Sequence, residues 1–258
     1  MSVLVSICLP TFNRSNSLKK AIKNILAQSF SEIEILISDN CSTDETFSFC
    51  QTLIKENEKI KYFRQSFNIG PTANFEFIKK KANGKYFMWH SDDDYLETNF
   101  IEKCVFELEK NQNLILVSGL SGFKKKGLNE IDHFGNNIKL DFNNKTFRIA
   151  NYLYNVMDNS IFYGIYRLKK VEKLSMPNLL AGDWIWCTQV LSLGKAKVLN
   201  DTKIIRGCED STSSSYEKIV HTISAPKWNI KYPNVAIVFN FFLFFKKLNL
   251  WILNLTVF

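Results

Sequence analysis

The sequence lacks the short motifs that mark the commonest nucleotide and metal sites. No GxGxxG segment follows an apolar run and no GxxxxGK[ST] segment occurs, so dinucleotide-binding and P-loop sites lose their main support. The three histidines form no HxxxH or HxxE pattern. The six cysteines form no CxxC pair and show no metal-ligand spacing.

Signals for secretion and membrane insertion are also absent from the sequence. The first ten residues have no basic segment and no cleavage site, and no uninterrupted apolar run approaches bilayer-spanning length. Several cysteines lie in apolar surroundings, which is typical of reduced, buried thiols. A cytoplasmic protein is therefore predicted.

Composition fits a folded domain with a basic surface. With 258 residues, 46% of them hydrophobic, the chain suits one α/β domain or one domain plus a small appendage. The net charge of +8 favours anionic partners such as nucleotide phosphates or anionic lipid, or simply makes the surface soluble. The lysine runs at 79–81 and 124–126 resemble solvated surface, so nucleic acid is not predicted as a partner.

An apolar strand that runs directly into three aspartates is the most informative stretch. Residues 86–89 read YFMW, and Asp92, Asp93 and Asp94 follow after His90 and Ser91. Adjacent like charges favour a compensating cation, and carboxylate oxygens suit Mg²⁺ or Mn²⁺, which can hold a diphosphate. The alternative is a carboxylate-rich turn that caps the next helix.

Apolar runs and helical patterns alternate through the first hundred residues. Strands are predicted at 3–9, 33–38, 60–65 and 86–89, with helices between them that begin at Asn16 or Ser17, at 42–45 and at Pro71. This order predicts a mostly parallel sheet with helices on both faces. Loops follow the strands at 10–14 and at Asp39, where short polar groups can bind a base, ribose or phosphate.

The second half shows weaker patterns. A helix is predicted over 97–111, strands at 114–118 and 161–167, and a strand pair within 198–205. Residues 119–146 are expected to form a hairpin or a long surface loop over the site. Asp183 opens a further helix, as an N-cap or as a general base, and Trp184 or Trp186 could stack on a sugar.

The last 24 residues are almost wholly apolar apart from Lys246 and Lys247. Each apolar half is too short to span a bilayer, but each can lie in the interface with its lysines towards headgroups. The alternative is a core or oligomer-interface helix.

Several spaced segments resemble family 2 glycosyltransferases, which have the GT-A fold. They are residues 5–14 (VSICLPTFNR), 27–30 (AQSF), 34–44 (EILISDNCSTD), 68–70 (NIG) and 82–86 (ANGKY), followed by 91–94 (SDDD) where the family carries its DxD motif. The resemblance is strong over residues 3–100 and thinner through Arg206. Ser91 stands where many members have the first aspartate of that motif.

The resemblance implies an inverting transfer of sugar from a nucleotide-diphosphate sugar to a saccharide or lipid-linked acceptor, in bacterial-type surface polysaccharide, glycolipid or glycoprotein glycan assembly. It implies Mn²⁺ or Mg²⁺ at Asp93 and Asp94, a catalytic base at Asp183, and candidate acceptor contacts at Trp184 and Trp186. The implied nucleotide-sugar-binding residues are Pro10, Thr11, Asn13, Arg14, Asp39, Asn68 and Asp92.

Two other functions stay open at this point. A sugar-phosphate nucleotidyltransferase would need a glycine-rich first loop, and residues 10–14 contain no glycine. An inactive relative would bind nucleotide-sugar or membrane without turnover. The expected organisation is a GT-A domain over 1–215, with a nucleotide-sugar half at 1–95 and an acceptor half at 96–215. The apolar and basic tail at 216–258 is predicted to associate with the inner face of the plasma membrane.

Overall fold

The computed structural model describes residues 5–124, 130–206 and 216–247 and shows one nine-stranded mixed sheet covered by helices. The predicted strand residues 3–4, part of the 119–146 segment, and the tail residues 248–258 lie outside the described residues. The strands are β1 (Val5–Thr11), β2 (Ile33–Asp39), β3 (Ile60–Arg64), β4 (Tyr86–Trp89), β5 (Tyr95–Leu96), β6 (Leu114–Lys124), β7 (Ile131–Phe134), β8 (Ile165–Arg167) and β9 (Lys195–Arg206).

Ten α-helices are described alongside the strands. They are α1 (Ser15–Leu26), α2 (Thr46–Glu56), α3 (Pro71–Lys79), α4 (Phe100–Lys110), α5 (Lys145–Asn155), α6 (Leu168–Val171), α7 (Gly182–Leu193), α8 (Tyr216–Thr222), α9 (Trp228–Lys231) and α10 (Pro233–Lys247). The α/β class predicted from the sequence is confirmed.

The first four strands form the parallel half of the sheet. Their order is β3-β2-β1-β4, and each of these neighbouring pairs is parallel. The expected loop at Pro10 is wrong by two residues, since β1 continues through Thr11 in register with Asp39. The backbone N–H of Asn40 then donates to the Thr11 carbonyl at 2.9 Å, which extends the pairing beyond the apolar run.

The cap predicted for α1 is replaced by a carboxylate from the segment predicted to open α2. Helix α1 begins at Ser15, before the predicted caps Asn16 and Ser17, and Asp44 Oδ2 accepts the Ser15 backbone N–H at 3.0 Å. The other oxygen of Asp44 accepts the Thr46 N–H at 3.0 Å at the start of α2. A side chain distant in sequence thus satisfies α1, which no local pattern could reveal.

The second half of the sheet is mixed. The antiparallel strand β8 joins β4 to β6, and β6 runs parallel to β9. The strand predicted at 161–167 is instead a 3₁₀ turn (Ser160–Tyr163) followed by the shorter β8. The strand pair predicted within 198–205 is one long strand, β9. The hairpin expected after 119 is present as β6 and β7.

The sheet has an apolar core on each face. Alternate β1 residues supply both, because Ile7 and Leu9 pack with α1 and α4 while Cys8 packs with α3 and α7. On the second face, Trp89 at the end of β4 stacks on Phe162 at 4.9 Å between ring centroids and meets Trp186 of α7 edge-on at 4.8 Å. This aromatic cluster connects the strand that carries the aspartates to the helix that carries Asp183.

The last described helix, α10, packs on the protein by one edge. Ala236 and Asn240, one turn apart, are buried, and Asn240 Nδ2 donates to the Leu180 carbonyl at 3.2 Å. Over the described ranges, none of the helices has the length and apolar character needed to cross a membrane.

Replacing Trp89 by alanine should cost about 3–5 kcal/mol of unfolding free energy, because the buried indole fills space between three elements. Its loss also removes the 3.0 Å hydrogen bond from Nε1 to the Phe75 carbonyl. Equilibrium unfolding in urea measures this directly. Phe106→Ala is the matched aromatic control: that ring is 63% exposed, and the change should cost no more than about 0.5 kcal/mol. Similar small losses for both variants would contradict the proposed importance of the cluster.

Candidate active site

Polar side chains gather where three neighbouring parallel strands end. Strand β1 ends at Thr11, its neighbour β2 ends at Asp39, and Asp92 and Asp93 follow β4 on the other side of β1. Ligands of open α/β sheets bind at this edge because the strand termini leave a crevice between loops. The fold therefore brings the separate sequence segments to one place.

Arg14 connects two of the three aspartates. Its Nη1 lies 3.1 Å from Asp92 Oδ1, and its Nη2 donates to Asp93 Oδ2 at 2.9 Å. Thr11 Oγ1 donates to the second oxygen of Asp92 at 2.8 Å, and Ser91 Oγ donates to Asp93 Oδ1. The cation expected next to these carboxylates is, in this structure, a guanidinium from the first loop.

The pKa of the Asp92 carboxyl is raised towards neutral pH. Burial raises the pKa of its carboxyl to about 6, although the Arg14 charge and the Thr11 hydroxyl favour the ionised form. The neighbouring Asp93 charge acts in the same direction as burial. Asp92 is therefore mainly ionised at neutral pH.

Asp94 is directed away from its two neighbours. Its Oδ2 forms a 2.9 Å ion pair with Arg206 Nε at the end of β9, and its side chain is only 2% exposed. The Arg206 guanidinium lies over the Tyr163 ring, 4.5 Å from the centroid, and donates to Ser160 Oγ at 3.3 Å. Asp94 thus ties the aspartate loop to the second half of the sheet.

The residues present fit a divalent cation that a bound phosphate helps to hold. Within the described ranges no group of three or more His, Cys, Asp or Glu side chains is arranged around one point. Among Asp92, Asp93 and Asp94, Asp93 has the most exposed side chain, at 11%. Mg²⁺ is commonly held by one or two carboxylates plus substrate phosphates, and Asp93 with Ser91 offers such a hard oxygen set.

Asp39 is fully buried and bonded through both oxygens. Oδ1 accepts the Ser42 backbone N–H at 2.8 Å, and Oδ2 accepts the Tyr62 hydroxyl at 2.5 Å. Arg64 Nε lies 3.8 Å from the same Oδ2. These bonds hold the Asp39 carboxylate at the end of β2, and its contact with a ligand stays a prediction.

The asparagines of the site connect its loops. Asn13, at φ 52°, accepts the Thr43 backbone N–H at 2.7 Å, which joins the loops that follow β1 and β2. Asn40 Nδ2 donates to Asn68 Oδ1 at 2.8 Å. Asn68 also lines a cavity of about 510 Å³ between the start of α3 and the end of α8. These bonds fix the loop positions and leave their contact with a ligand as a prediction.

Asp183 lies in the first turn of α7 and is partly exposed. Its Oδ2 accepts a hydrogen bond from Asn159 Nδ2 at 2.9 Å. Burial in the cleft raises the pKa of its carboxyl, whereas Asn159 and the backbone N–H groups of Trp184 and Asp183 act in the opposite direction. The preceding Gly182 leaves no room for a side chain, because a Cβ would lie 2.2 Å from the Pro177 carbonyl oxygen.

Tyr163 connects the two acidic parts of the site. Burial raises the pKa of its hydroxyl far above the usual range, and the negative charges of Asp94, Asp183 and Asp93 raise it further, while Arg206 opposes them. Contacts of Arg206 also link the two parts, because it pairs with Asp94 and donates to Ser160, the neighbour of the Asn159 that binds Asp183.

Two neighbours of the site are packed rather than available. Trp186 is fully buried among Trp89 and Tyr166, so the structure corrects the expectation that its indole contacts an acceptor. Trp184 is partly exposed and keeps that predicted role. His90 is fully buried, and burial lowers its pKa to about 4, so its ring is neutral at physiological pH.

Sequence reasoning missed Arg206, Asn159 and Tyr62 as members of the site. Arg206 could have been noticed as a cation that ends a predicted strand. Asn159 and Tyr62 have no local signal, because each acts on a carboxylate more than 20 residues away.

Comparison with known proteins identifies relatives of this chain. The chain is 42% identical over 93 residues to the GalNAc(5)-diNAcBac-PP-undecaprenol beta-1,3-glucosyltransferase of Campylobacter jejuni, a match that covers 36% of this chain and only 30% of that relative. An uncharacterized glycosyltransferase of Haemophilus influenzae is 27% identical over 198 residues, or 76% of this chain and 75% of the relative.

Solved structures show the same fold. S. aureus TarS 1-349 in complex with UDP-GlcNAc has a TM-score of 0.64 at 18% identity, covering 86% of this chain and 65% of that chain. The mannosyltransferase PcManGT from Pyrobaculum calidifontis in complex with GDP-Man and Mn2+ has a TM-score of 0.60 at 14% identity, covering 82% and 59%. At these identities the likeness shows the fold alone, and that fold is GT-A.

The sequence model of Glycosyl transferase family 2 matches residues 6–175, which contain the three strand ends and the aspartate loop. Because this match covers more than half of the chain, the protein belongs to glycosyl transferase family 2.

Proposed function

We propose that this protein transfers a sugar from a nucleotide-diphosphate sugar to an acceptor hydroxyl, with inversion at the anomeric carbon. The observation that carries the proposal is that Arg206 links two acidic parts of the site: it pairs with Asp94 of the aspartate loop and donates to Ser160, which follows the Asn159 that binds Asp183. Asp93 lies at the carboxyl edge of the sheet, and Asp183 lies in the first turn of α7. In this proposal Asp93 binds the cation that accompanies the leaving diphosphate, and Asp183 accepts the proton of the acceptor hydroxyl.

The donor binds along the ends of β1, β2 and β4 in this proposal. Thr11 and Asp39 contact the base, Asp92 faces the ribose, and Arg14 is close enough to the aspartates to meet a diphosphate. TarS and PcManGT, which share the fold, have been solved with UDP-GlcNAc and GDP-Man. The proposed donor residues are Pro10, Thr11, Asn13, Arg14, Asp39, Asn68 and Asp92.

Asp93 is the proposed ligand for Mn²⁺ or Mg²⁺, with Asp94 next to it. The ion pair with Arg206 makes Asp94 the less accessible of the two. When bound, the cation neutralises charge that develops on the departing diphosphate. Arg14 and Arg206 bring further positive charge to the same loop.

Asp183 is the proposed catalytic base. The acceptor oxygen forms a bond to the anomeric carbon as the bond from that carbon to the diphosphate oxygen breaks. The hydroxyl proton passes to Asp183, and the bonding electron pair leaves with the nucleoside diphosphate. The raised pKa of Asp183 suits this role, because a carboxylate with a raised pKa is a stronger proton acceptor.

The proposed acceptor is a saccharide, free or lipid-linked, with Trp184 at its site. By its name, the Campylobacter relative acts on an undecaprenol-linked saccharide, which supports a role in the assembly of surface polysaccharide, glycolipid or glycoprotein glycans. Residues 96–215 form the acceptor half in this proposal, and residues 1–95 form the nucleotide-sugar half.

A peripheral membrane contact through residues 235–258, at the cytoplasmic face, completes the proposal. Opposite its buried edge, α10 exposes one apolar stripe, formed by Val235, Val238, Phe239, Phe242 and Leu243. On the adjoining α9, Trp228 and Tyr232 are exposed beside the exposed Lys227 and Lys231. Aromatic and aliphatic groups with flanking lysines suit the interface of an anionic bilayer.

Asp183→Asn should lower kcat by about 10²–10⁴-fold, because the amide cannot accept the proton. Release of nucleoside diphosphate, with and without candidate acceptors, is the measurement. Asp201→Asn is the control, since that exposed carboxylate pairs with Lys103 on the outer side of the sheet. Wild-type transfer by a folded Asp183→Asn variant would remove the base assignment, and no turnover by wild type with any donor would favour an inactive relative.

Mn²⁺ should be required for tight donor binding. In a thermal-shift screen of UDP-, GDP-, CMP- and dTDP-sugars, a diphosphate donor should raise Tm in the presence of Mn²⁺, since ligands that bind the folded state stabilise it. EDTA should abolish both the shift and turnover, and Mn²⁺ should restore them. Asp93→Ala should lower turnover by on the order of 10²-fold, which corresponds to about 2.7 kcal/mol of lost charge stabilisation. Activity indifferent to EDTA and to Asp93→Ala would refute the metal proposal.

The double variant Val238→Asp/Phe242→Asp should weaken binding to phosphatidylglycerol-containing vesicles by on the order of 10²-fold or more, because each apolar side chain of this size contributes about 1.5–3 kcal/mol when buried. Vesicle co-sedimentation measures the bound fraction. Phe106→Asp/Phe147→Asp changes two comparably exposed rings elsewhere and should leave binding unchanged. Equal binding by wild type and the α10 variant would exclude α10 as the membrane contact.

A further inference from the structure

A chain of side-chain hydrogen bonds leads from the core to Asp183. Tyr152 on α5 is fully buried, and its hydroxyl donates to Asn159 Oδ1 at 2.6 Å. Asn159 Nδ2 then donates to Asp183 Oδ2 at 2.9 Å. Neither Tyr152 nor Asn159 belongs to the segments that resemble the family, and neither has a role in donor binding.

The tyrosine decides which end of the amide faces Asp183. A phenol hydroxyl that donates to Asn159 Oδ1 fixes the amide so that its NH₂ group points the other way. The reverse orientation would place the amide oxygen against the carboxylate oxygen of Asp183, so that two acceptors would meet. Tyr152 therefore selects the orientation in which Asn159 is a donor.

The segment that carries Asn159 is itself anchored. The backbone carbonyl of Asn159 accepts the Phe162 backbone N–H at 3.0 Å, at the start of the 3₁₀ turn. The preceding Asp158 accepts the Ser121 hydroxyl of β6 at 3.1 Å and the Ser160 backbone N–H at 3.0 Å. Asn159 thus has a defined position relative to the sheet as well as a defined amide orientation.

The other groups that face Asp183 come from several elements. Arg206 of β9 is the cation that favours its ionised form, and Arg206 is already paired with Asp94. Tyr166 of β8 and Cys187 of α7 are buried and Tyr163 of the 3₁₀ turn is partly buried, and the Asp183 charge helps to raise their pKa values, so they stay neutral. Asn159 differs from these neighbours because its side chain donates a hydrogen bond to one particular oxygen, Asp183 Oδ2.

We infer that Asn159, oriented by Tyr152, is a positioning residue for Asp183: it binds Oδ2 so that Oδ1 is presented to the acceptor hydroxyl. The inference rests on the proposed role of Asp183 as the base and adds the device that aims it. A hydrogen bond donated to a carboxylate also favours its ionised form, which offsets part of the effect of burial.

The test is the pH dependence of kcat/KM. Because the base must be ionised, activity falls as the pH drops through the pKa of Asp183. Asn159→Leu removes the donor while keeping the volume, so the acidic limb should move to higher pH by about one unit, as expected for loss of a hydrogen bond to a charged group. The KM for the donor should stay within about threefold, since Asn159 lies outside the proposed donor residues, and kcat should fall.

Tyr152→Phe is the second variant, because it keeps Asn159 but releases its orientation. It should move the acidic limb in the same direction by a smaller amount. Asn155→Leu is the matched control: the side chain of this half-buried asparagine at the end of α5 bonds back to Asn151, and its pH profile should match wild type. Nucleoside diphosphate release gives the rates, and thermal unfolding verifies that each variant is folded.

Variants that lose activity with an unmoved acidic limb would overturn the inference, since that result means a structural role only. If Asn159→Leu does not fold, the Tyr152→Phe profile alone decides in the same way. This failure differs from failure of the base proposal, in which Asp183→Asn keeps its activity whatever the Asn159 variants do.

Discussion

The contact of Arg14 with Asp92 and Asp93 is the interaction on which the candidate site depends. Two adjacent carboxylates at a buried strand end repel each other and lose hydration, so they need a cation close by. Arg14 meets both within 3.1 Å from the loop after β1, and Thr11 and Ser91 add hydroxyl donors. The loops that follow the first and fourth strands are thereby joined at the carboxyl edge of the sheet.

The ion pair between Asp94 and Arg206 likewise neutralises the third aspartate of the loop. It connects the aspartate loop to β9, and the Arg206 guanidinium covers Tyr163. Beneath these polar contacts, Trp89, Phe162 and Trp186 form a rigid apolar support shared by the aspartate strand and α7. Acidic groups can be held close together here because the charges are paired above and the backbone is packed below.

The packing of Asn240 against the Leu180 carbonyl places α10 next to the segment that leads into Asp183, so a membrane-bound α10 would hold the acceptor side of the site near lipid.

The local part of this structure could be predicted from the sequence. The strands that end near Thr11, Asp39 and Trp89 follow from short apolar runs, and Pro71 begins α3 as expected for a residue without an N–H. The second half was less predictable. The segment 161–167 reads as a strand, yet its first half is a 3₁₀ turn that ends at Gly164, where an added Cβ would lie 2.8 Å from the Val117 carbonyl oxygen of β6.

What the sequence by itself determined was the set of elements, the family resemblance and the identity of the acidic residues at strand ends, because these depend on patterns within a few residues. The tertiary structure alone decided which charges neutralise which. Arg14, Arg206, Asn159 and Tyr62 each act on a carboxylate distant in the chain, and such pairings depend on sheet order and loop position rather than on spacing. It also decided that Trp186 belongs to the core while Trp184 is partly exposed, since the direction of each side chain on α7 is set by how that helix packs on the sheet.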